Sequence, residues 1–235
     1  MDTYDEVILG DTTQEIRATQ LLAIKLADSA GWVAESSSLQ SYQVVPAILM
    51  RAADYLSLLS LGAPDPPLEI IALSARNIFE LYSRLEYVLK SEANSLQWQN
   101  EAVKDQLEIY EGLFTLAGSE SDKEKLREEV ERVKKHATSR GLESDAKILS
   151  SRHIAEESSM QPEYQAFYKL YSKLVHPSSF SVNWPSARAS PIYRSALICN
   201  VQVYANLMLS TLEGRLELPL EKIHESAVEK LRRPS

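Results

Sequence analysis

The chain has 235 residues, 44% of them hydrophobic and 25% charged, a balance that builds a core and excludes wholesale disorder. Its formal charge of −8 excludes a broad electropositive surface for nonspecific nucleic-acid binding, though not a local basic pocket. A single cysteine, Cys199, excludes an internal disulfide and suits a reducing, cytoplasmic setting.

The N-terminal stretch MDTYDEVILGD opens with acids, which is not the pattern of a signal peptide. Thr12-Thr13-Gln14-Glu15 reads as a capping box ahead of Ile16, Leu21, Leu22 and Leu26, with Gly31 as the helix stop. A second helix is predicted from about Tyr42 to Leu61, with Pro46 in its first turn. The break Gly62-Ala63-Pro64-Asp65-Pro66-Pro67 ends it.

The third helix runs from Pro67 to near Glu92. Ile71, Ile78, Leu81, Leu85, Val88 and Leu89 gather on one face, and Arg76, Glu80, Ser83 and Tyr87 lie opposite. Phe79 falls between the two groups, which implies protein on both sides. A fourth helix spans about Ser95 to Ala117, and a fifth lies within 119–140, capped by Ser121-Asp122-Lys123-Glu124. The fifth has only a thin apolar stripe and pairs Glu128/Arg132 and Glu131/Lys135 at i,i+4, so the two form a charged peripheral hairpin. A shorter helix is predicted over Glu143–Ser158.

Gln161-Pro162-Glu163 starts a helix carrying Tyr164, Phe167, Tyr168, Tyr171 and Leu174, which ends at His176 because Pro177 follows. Helical spacing puts most of those aromatics on one face, which favours core packing over base stacking. Residues 177–190 read as a Ser- and Pro-rich loop, and unstructured loops of that length tend to be functional. Pro191 opens an uncharged helix whose Ser195–Leu212 stretch is long enough to span a bilayer. Its Asn200, Gln202 and Asn206 favour a buried central helix or subunit interface instead, so no membrane partner is expected. Pro219 begins a polar tail helix. The expected fold is an all-α bundle of seven to nine helices in a single domain. Its core is 13–92 and 161–212, with peripheral helices over 95–158 and a tail helix over 219–233.

The sequence lacks the phosphate-binding glycine loop, CxxC, nucleophile-elbow and HExxH motifs. Glu221/His224 and His153 with Glu156 and Glu157 read as solvated helix faces, so neither a metal nor a cofactor is expected. His176 sits at a helix C-terminus among the hydroxyls of Ser172, Ser178 and Ser179. It reads either as a general acid/base or as a capping residue that bonds the last carbonyls. Arg76 and Glu80 are spaced as an ion pair that orients His176 if helices cover that face. Trp184 with Ser178, Ser179 and Asn183 forms a candidate partner-binding stretch.

Ala75-Arg76-Asn77-Ile78-Phe79-Glu80 and Tyr168-x-x-x-Ser172-x-x-x-His176-Pro177-Ser178 together resemble a bacterial all-helical family of unknown function. The resemblance extends over roughly 45–212. That family is similar in layout to HEPN domains, which occur in toxin–antitoxin and phage-defence systems. Active HEPN ribonucleases carry an Arg and a His with four to six residues between them, so an Arg-to-His pair with three between is one residue short. Here Tyr171 stands five before His176, Lys173 three before it, and Arg132 four before His136 on the charged helix. Two readings follow. One is a non-catalytic interaction module, a subunit of a defence or stress-response assembly with a protein partner or a second copy as homodimer. The other is a HEPN-like metal-independent ribonuclease with His176 as acid/base and Arg76 or Lys173 on the phosphate.

Overall fold

The computed structural model describes residues 12–36, 43–60, 66–184 and 190–232, which contain ten helices and no strand. They are α1 (Thr12–Glu35), α2 (Val45–Leu58), α3 (Leu68–Val88), α4 (Glu92–Leu116), α5 (Glu120–Ser139), α6 (Ser151–Glu157), α7 (Gln161–Val175), α8 (Ser179–Asn183), α9 (Pro191–Leu216) and α10 (Leu220–Arg232). The expected all-α bundle is therefore correct in class, with more helices than the seven to nine anticipated.

The central element is α3, which contacts α2, α9, α7, α6 and α4. Phe79 shows why. Its ring is 1% exposed, 5.1 Å from Tyr204 on α9 and 6.3 Å from Tyr171 on α7, so α3 is covered on two sides. Burying an aromatic ring in such a sandwich removes 150–250 Å² from water, roughly. Helix α1 lies against α2, α9 and α10. Asp28 ties α1 to α10 through Ser226 and Lys230, and Glu15 ties it to α9 through Arg194 at 3.0 Å. The uncharged run of α9 meets the length and composition of a membrane span, yet 61% of that window is buried inside the protein. The apolar surface on which a subunit interface was expected is thus largely covered by α1 and α3.

Several boundaries depart from expectation for local reasons. Gly31 does not stop α1, which continues to Glu35 because Ala30 before the glycine and Val33 beyond it are both buried in the core. Helix α3 ends at Val88, not near Glu92, because Ser91 caps a new helix by accepting from Asn94 N–H. Ser119, not Ser121, caps α5 by accepting from Asp122 N–H. Most ion pairs along α5 are i,i+3, such as Glu124–Arg127 at 2.8 Å and Glu131–Lys134 at 3.2 Å, and none is the i,i+4 pair expected.

Residues 143–150 are not helical. After Gly141, at φ +67°, side chains of α4 and α3 capture this stretch. Asn100 accepts from Glu143 N–H, while Gln97 and Arg84 donate to the carbonyls of Lys147 and Leu149. Helix begins only where Ser150 caps α6. Likewise 177–190 is not all loop, because Ser178 and Ser181 form a capping box that nucleates α8. The stretch 185–189, the start and end expected for α2 at Tyr42 and Leu61, the break 62–65 and the Thr12 cap lie outside the described residues.

The peripheral hairpin is α4 with α5, which hold their own small cluster of Val103, Val133 and Ala137. Arg84 of α3 anchors its base by lying 4.1 Å over Trp98 and pairing with the buried Glu101 at 3.5 Å.

Candidate active site at the α3–α7 junction

Two helical rows meet here. On α3, Arg76 and Glu80 are one turn apart on a polar stripe, while Ala75, Ile78 and Phe79 beside them are buried and fix the helix rotation. On α7, Pro162 sets the first turn, and Tyr171 and Leu174 enter the core. That burial turns Tyr164, Tyr168 and Ser172, spaced by four, along the flank toward α3. Pro177 then forces His176 into extended geometry, φ −96° and ψ 153°, lifting its ring off the helix end.

Arg76 is the hub. Its Nε donates to Glu80 Oε1 at 3.0 Å, its Nη2 donates to Tyr168 Oη at 3.1 Å, and its Nη1 lies 3.1 Å from His176 Nε2. A guanidinium has donors only, so Nε2 accepts this bond and the ring proton sits on Nδ1 while it lasts. The guanidinium carbon also lies 5.0 Å from the centre of the Tyr168 ring, and Tyr164 stacks on Tyr168 at 4.4 Å. The side chains of Arg76 and Glu80 are 21% and 28% exposed, and His176 is exposed, so the cluster is half-dry but open to solvent. Burial opposes the charge on Arg76, but the hydrogen bond and charge of Glu80 outweigh it and hold the guanidinium above its ordinary value. Burial, with Tyr168 and Glu80 adding, raises the Tyr164 hydroxyl.

The structure thus brings Arg76, Glu80 and His176 together across one hundred residues. Lys173 is not part of this group. It is exposed and falls about 140° around α7 from Tyr168 at 100° per residue. His176 does not bond the last helix carbonyls through its ring. Its backbone carries the cap instead, the N–H donating to Ser172 O at 3.2 Å and the carbonyl accepting from Ser178 N–H at 2.7 Å and Ser181 Oγ at 3.1 Å.

Of the expected partner-binding residues, Ser178 is engaged in capping α8 and donates to Lys173 O at 2.8 Å. Asn183 donates to Ser179 Oγ at 3.1 Å, and Trp184 is 64% exposed. The aromatics of α7 divide. Tyr171 is core, its hydroxyl accepting from Asn200 at 3.2 Å, and Phe167 packs beside it, whereas Tyr164 and Tyr168 line the cluster. Sequence spacing places most of the four on a core face and leaves Tyr168 out of the site. The row Tyr164, Tyr168, Ser172, His176 at four-residue intervals was the signal for it. Among the described residues, no three His, Cys, Asp or Glu side chains stand close enough to hold a metal ion. Glu156 pairs with Arg152 at 2.9 Å, and His224 lies beside Lys25 and Glu225.

No curated protein and no solved structure matches the chain. A family model covers residues 54–184, more than half of the chain, and takes in Arg76, Glu80, Tyr168, His176 and Trp184. The chain belongs to DUF5677, a family of unknown function.

Proposed function

We propose that the α3–α7 junction is a metal-independent RNA-cleaving site of HEPN-like character, with His176 as acid/base and Arg76 as the phosphate-binding cation. The observation that carries this reading is the 3.1 Å approach of Arg76 Nη1 to His176 Nε2 at the protein surface, with Glu80 fixing the guanidinium from behind. Arg76 uses three of its five N–H donors on Glu80, Tyr168 and His176, which leaves donors for an oxyanion. An imidazole supplies the proton transfers of RNA transesterification near neutral pH. The local cation meets the requirement that an acidic chain bind phosphate at one point rather than over a surface. The setting would be bacterial and cytoplasmic, in a defence or toxin–antitoxin context.

The test is an assay of the full chain on a mixed transfer-RNA pool, in chelator and without metal, against His176→Ala. Cleavage by the wild type that the variant lacks supports the reading. A folded wild type that leaves the RNA intact refutes it.

A second reading, a non-catalytic interaction module, is favoured by a different observation. On the hairpin, Ile109, Leu113 and Leu116 are 62%, 47% and 82% exposed at i, i+4 and i+7. A cleft of about 370 Å³ opens between α4 and α5 beside Phe114, Leu126 and Val130. Such exposed apolar seams mark protein contacts, with a partner chain or a second copy as occupant. Light scattering on the purified chain reads the second-copy case directly, and a monomer at micromolar concentration removes it.

A further inference from the structure

We propose that the site is latched by Arg76 and opened by the phosphate it binds. The inference rests on the reading of His176 as the base. A general base needs a lone pair, and in the free protein the Nε2 lone pair of His176 is occupied by Nη1–H of Arg76 at 3.1 Å. The same cation is the group a phosphodiester seeks. The two roles therefore meet at one nitrogen, Nη1, and an oxyanion is the stronger acceptor because the bond becomes charge-assisted on both sides.

The remaining contacts let that exchange occur without unfolding the site. Glu80 holds Nε at 3.0 Å and Tyr168 holds Nη2 at 3.1 Å, so the guanidinium keeps its place when Nη1 changes partner. The backbone of His176 is pinned independently, through Ser172, Ser178 and Ser181, so the ring stays at the helix end when released. Arg76 is the group that contacts the ring, and Glu80 of α3 with Tyr164 and Tyr168 of α7 act in turn on Arg76. Arg152 of α6 acts on Tyr164, and α8 contributes hydroxyls and no charge.

With the phosphate on Arg76, Nε2 takes the proton of the neighbouring 2′-hydroxyl. The O2′–P bond forms as the P–O5′ bond breaks, and the imidazolium returns that proton to the departing O5′. The products are a 2′,3′-cyclic phosphate and a free 5′-hydroxyl. The latch keeps the imidazole from acting as a base until the anion is seated, which makes phosphate the trigger as well as the target.

The experiment uses the wild-type full chain with nitrogen-labelled histidine and arginine, so no variant need fold; His176→Ala serves only to assign a resonance. The probe is a 2′-O-methyl RNA trinucleotide, which has the phosphates but no hydroxyl to attack. Saturable movement of the His176 Nε2 resonance away from its hydrogen-bonded position is expected. The Arg76 guanidinium resonances should move with the same midpoint. The proposal is overturned if backbone amides of α3 and α7 report binding while Nε2 stays put, or if millimolar probe moves none of them. The outcomes separate from those of the nuclease reading. A chain that exchanges the bond yet cleaves no RNA keeps the latch and loses the nuclease, and a chain that cleaves with Nε2 unmoved does the reverse.

Discussion

Glu101→Gln removes the negative half of the pair that anchors the hairpin to the bundle. Glu101 and Arg84 are 3% and 12% exposed at the side chain, with nitrogen and oxygen 3.5 Å apart. Deleting one partner of a buried pair costs about 3–5 kcal/mol, because the other charge is left without compensation. Here Arg84 retains the Trp98 face at 4.1 Å and the Leu149 carbonyl at 3.0 Å, which places the loss at the lower end, about 3 kcal/mol. For a chain of this length that corresponds to a fall in Tm of about 6–12 °C. Urea unfolding followed by circular dichroism reads the loss, and hydrogen exchange shows whether α4 and α5 open before the rest. The double replacement Arg84→Met with Glu101→Leu should recover most of the stability, since no buried charge remains. A loss below about 1 kcal/mol in the single variant would refute the argument that this charge is desolvated.

Other consequences are briefer. Phe79→Ala empties the sandwich between Tyr171 and Tyr204 and should cost about 3–5 kcal/mol in the same urea experiment. Tyr168→Phe keeps the stack on Tyr164 but removes the acceptor of Arg76 Nη2; it should cost about 0.5–1.5 kcal/mol of stability and reduce cleavage without abolishing it. Burial, with Lys25 beside it, holds His224 below its ordinary value. The unfolded chain therefore binds the proton more readily, so this contribution is present above about pH 6.5 and is lost as the pH falls. His224→Gln should flatten the decline in Tm between about pH 7 and 5.

Much of the fold was legible because periodicity and prolines are local. Pro46, Pro162 and Pro191 each lie in the first turn of their helices, and Pro177 ends α7 where a residue before proline must leave the helix. What escaped depends on partners distant in sequence. The stretch 143–150 holds no glycine or proline to break a helix but yields to side chains of Asn100, Gln97 and Arg84, which sequence cannot align with it. Gly31 carries a stop signal that core burial overrides.

The site divides in the same way. Arg76, Glu80 and His176 could be nominated from spacing and from the proline that follows the histidine. Lys173 is nominated on proximity in sequence, and helical rotation turns it away from Tyr168. Tyr168 reads as core when aromatic period alone is used, because both faces of α7 begin with aromatics; only the polar continuation through Ser172 and His176 at four-residue intervals marks the flank that faces α3.

The central claim is tested most directly by RNA cleavage in chelator, with wild type and His176→Ala matched for Tm. The account predicts cleavage by the wild type, lowered about 10²–10⁴-fold in the variant as expected for loss of a general acid/base. Equal cleavage by the two proteins, or none by a folded wild type, would contradict it.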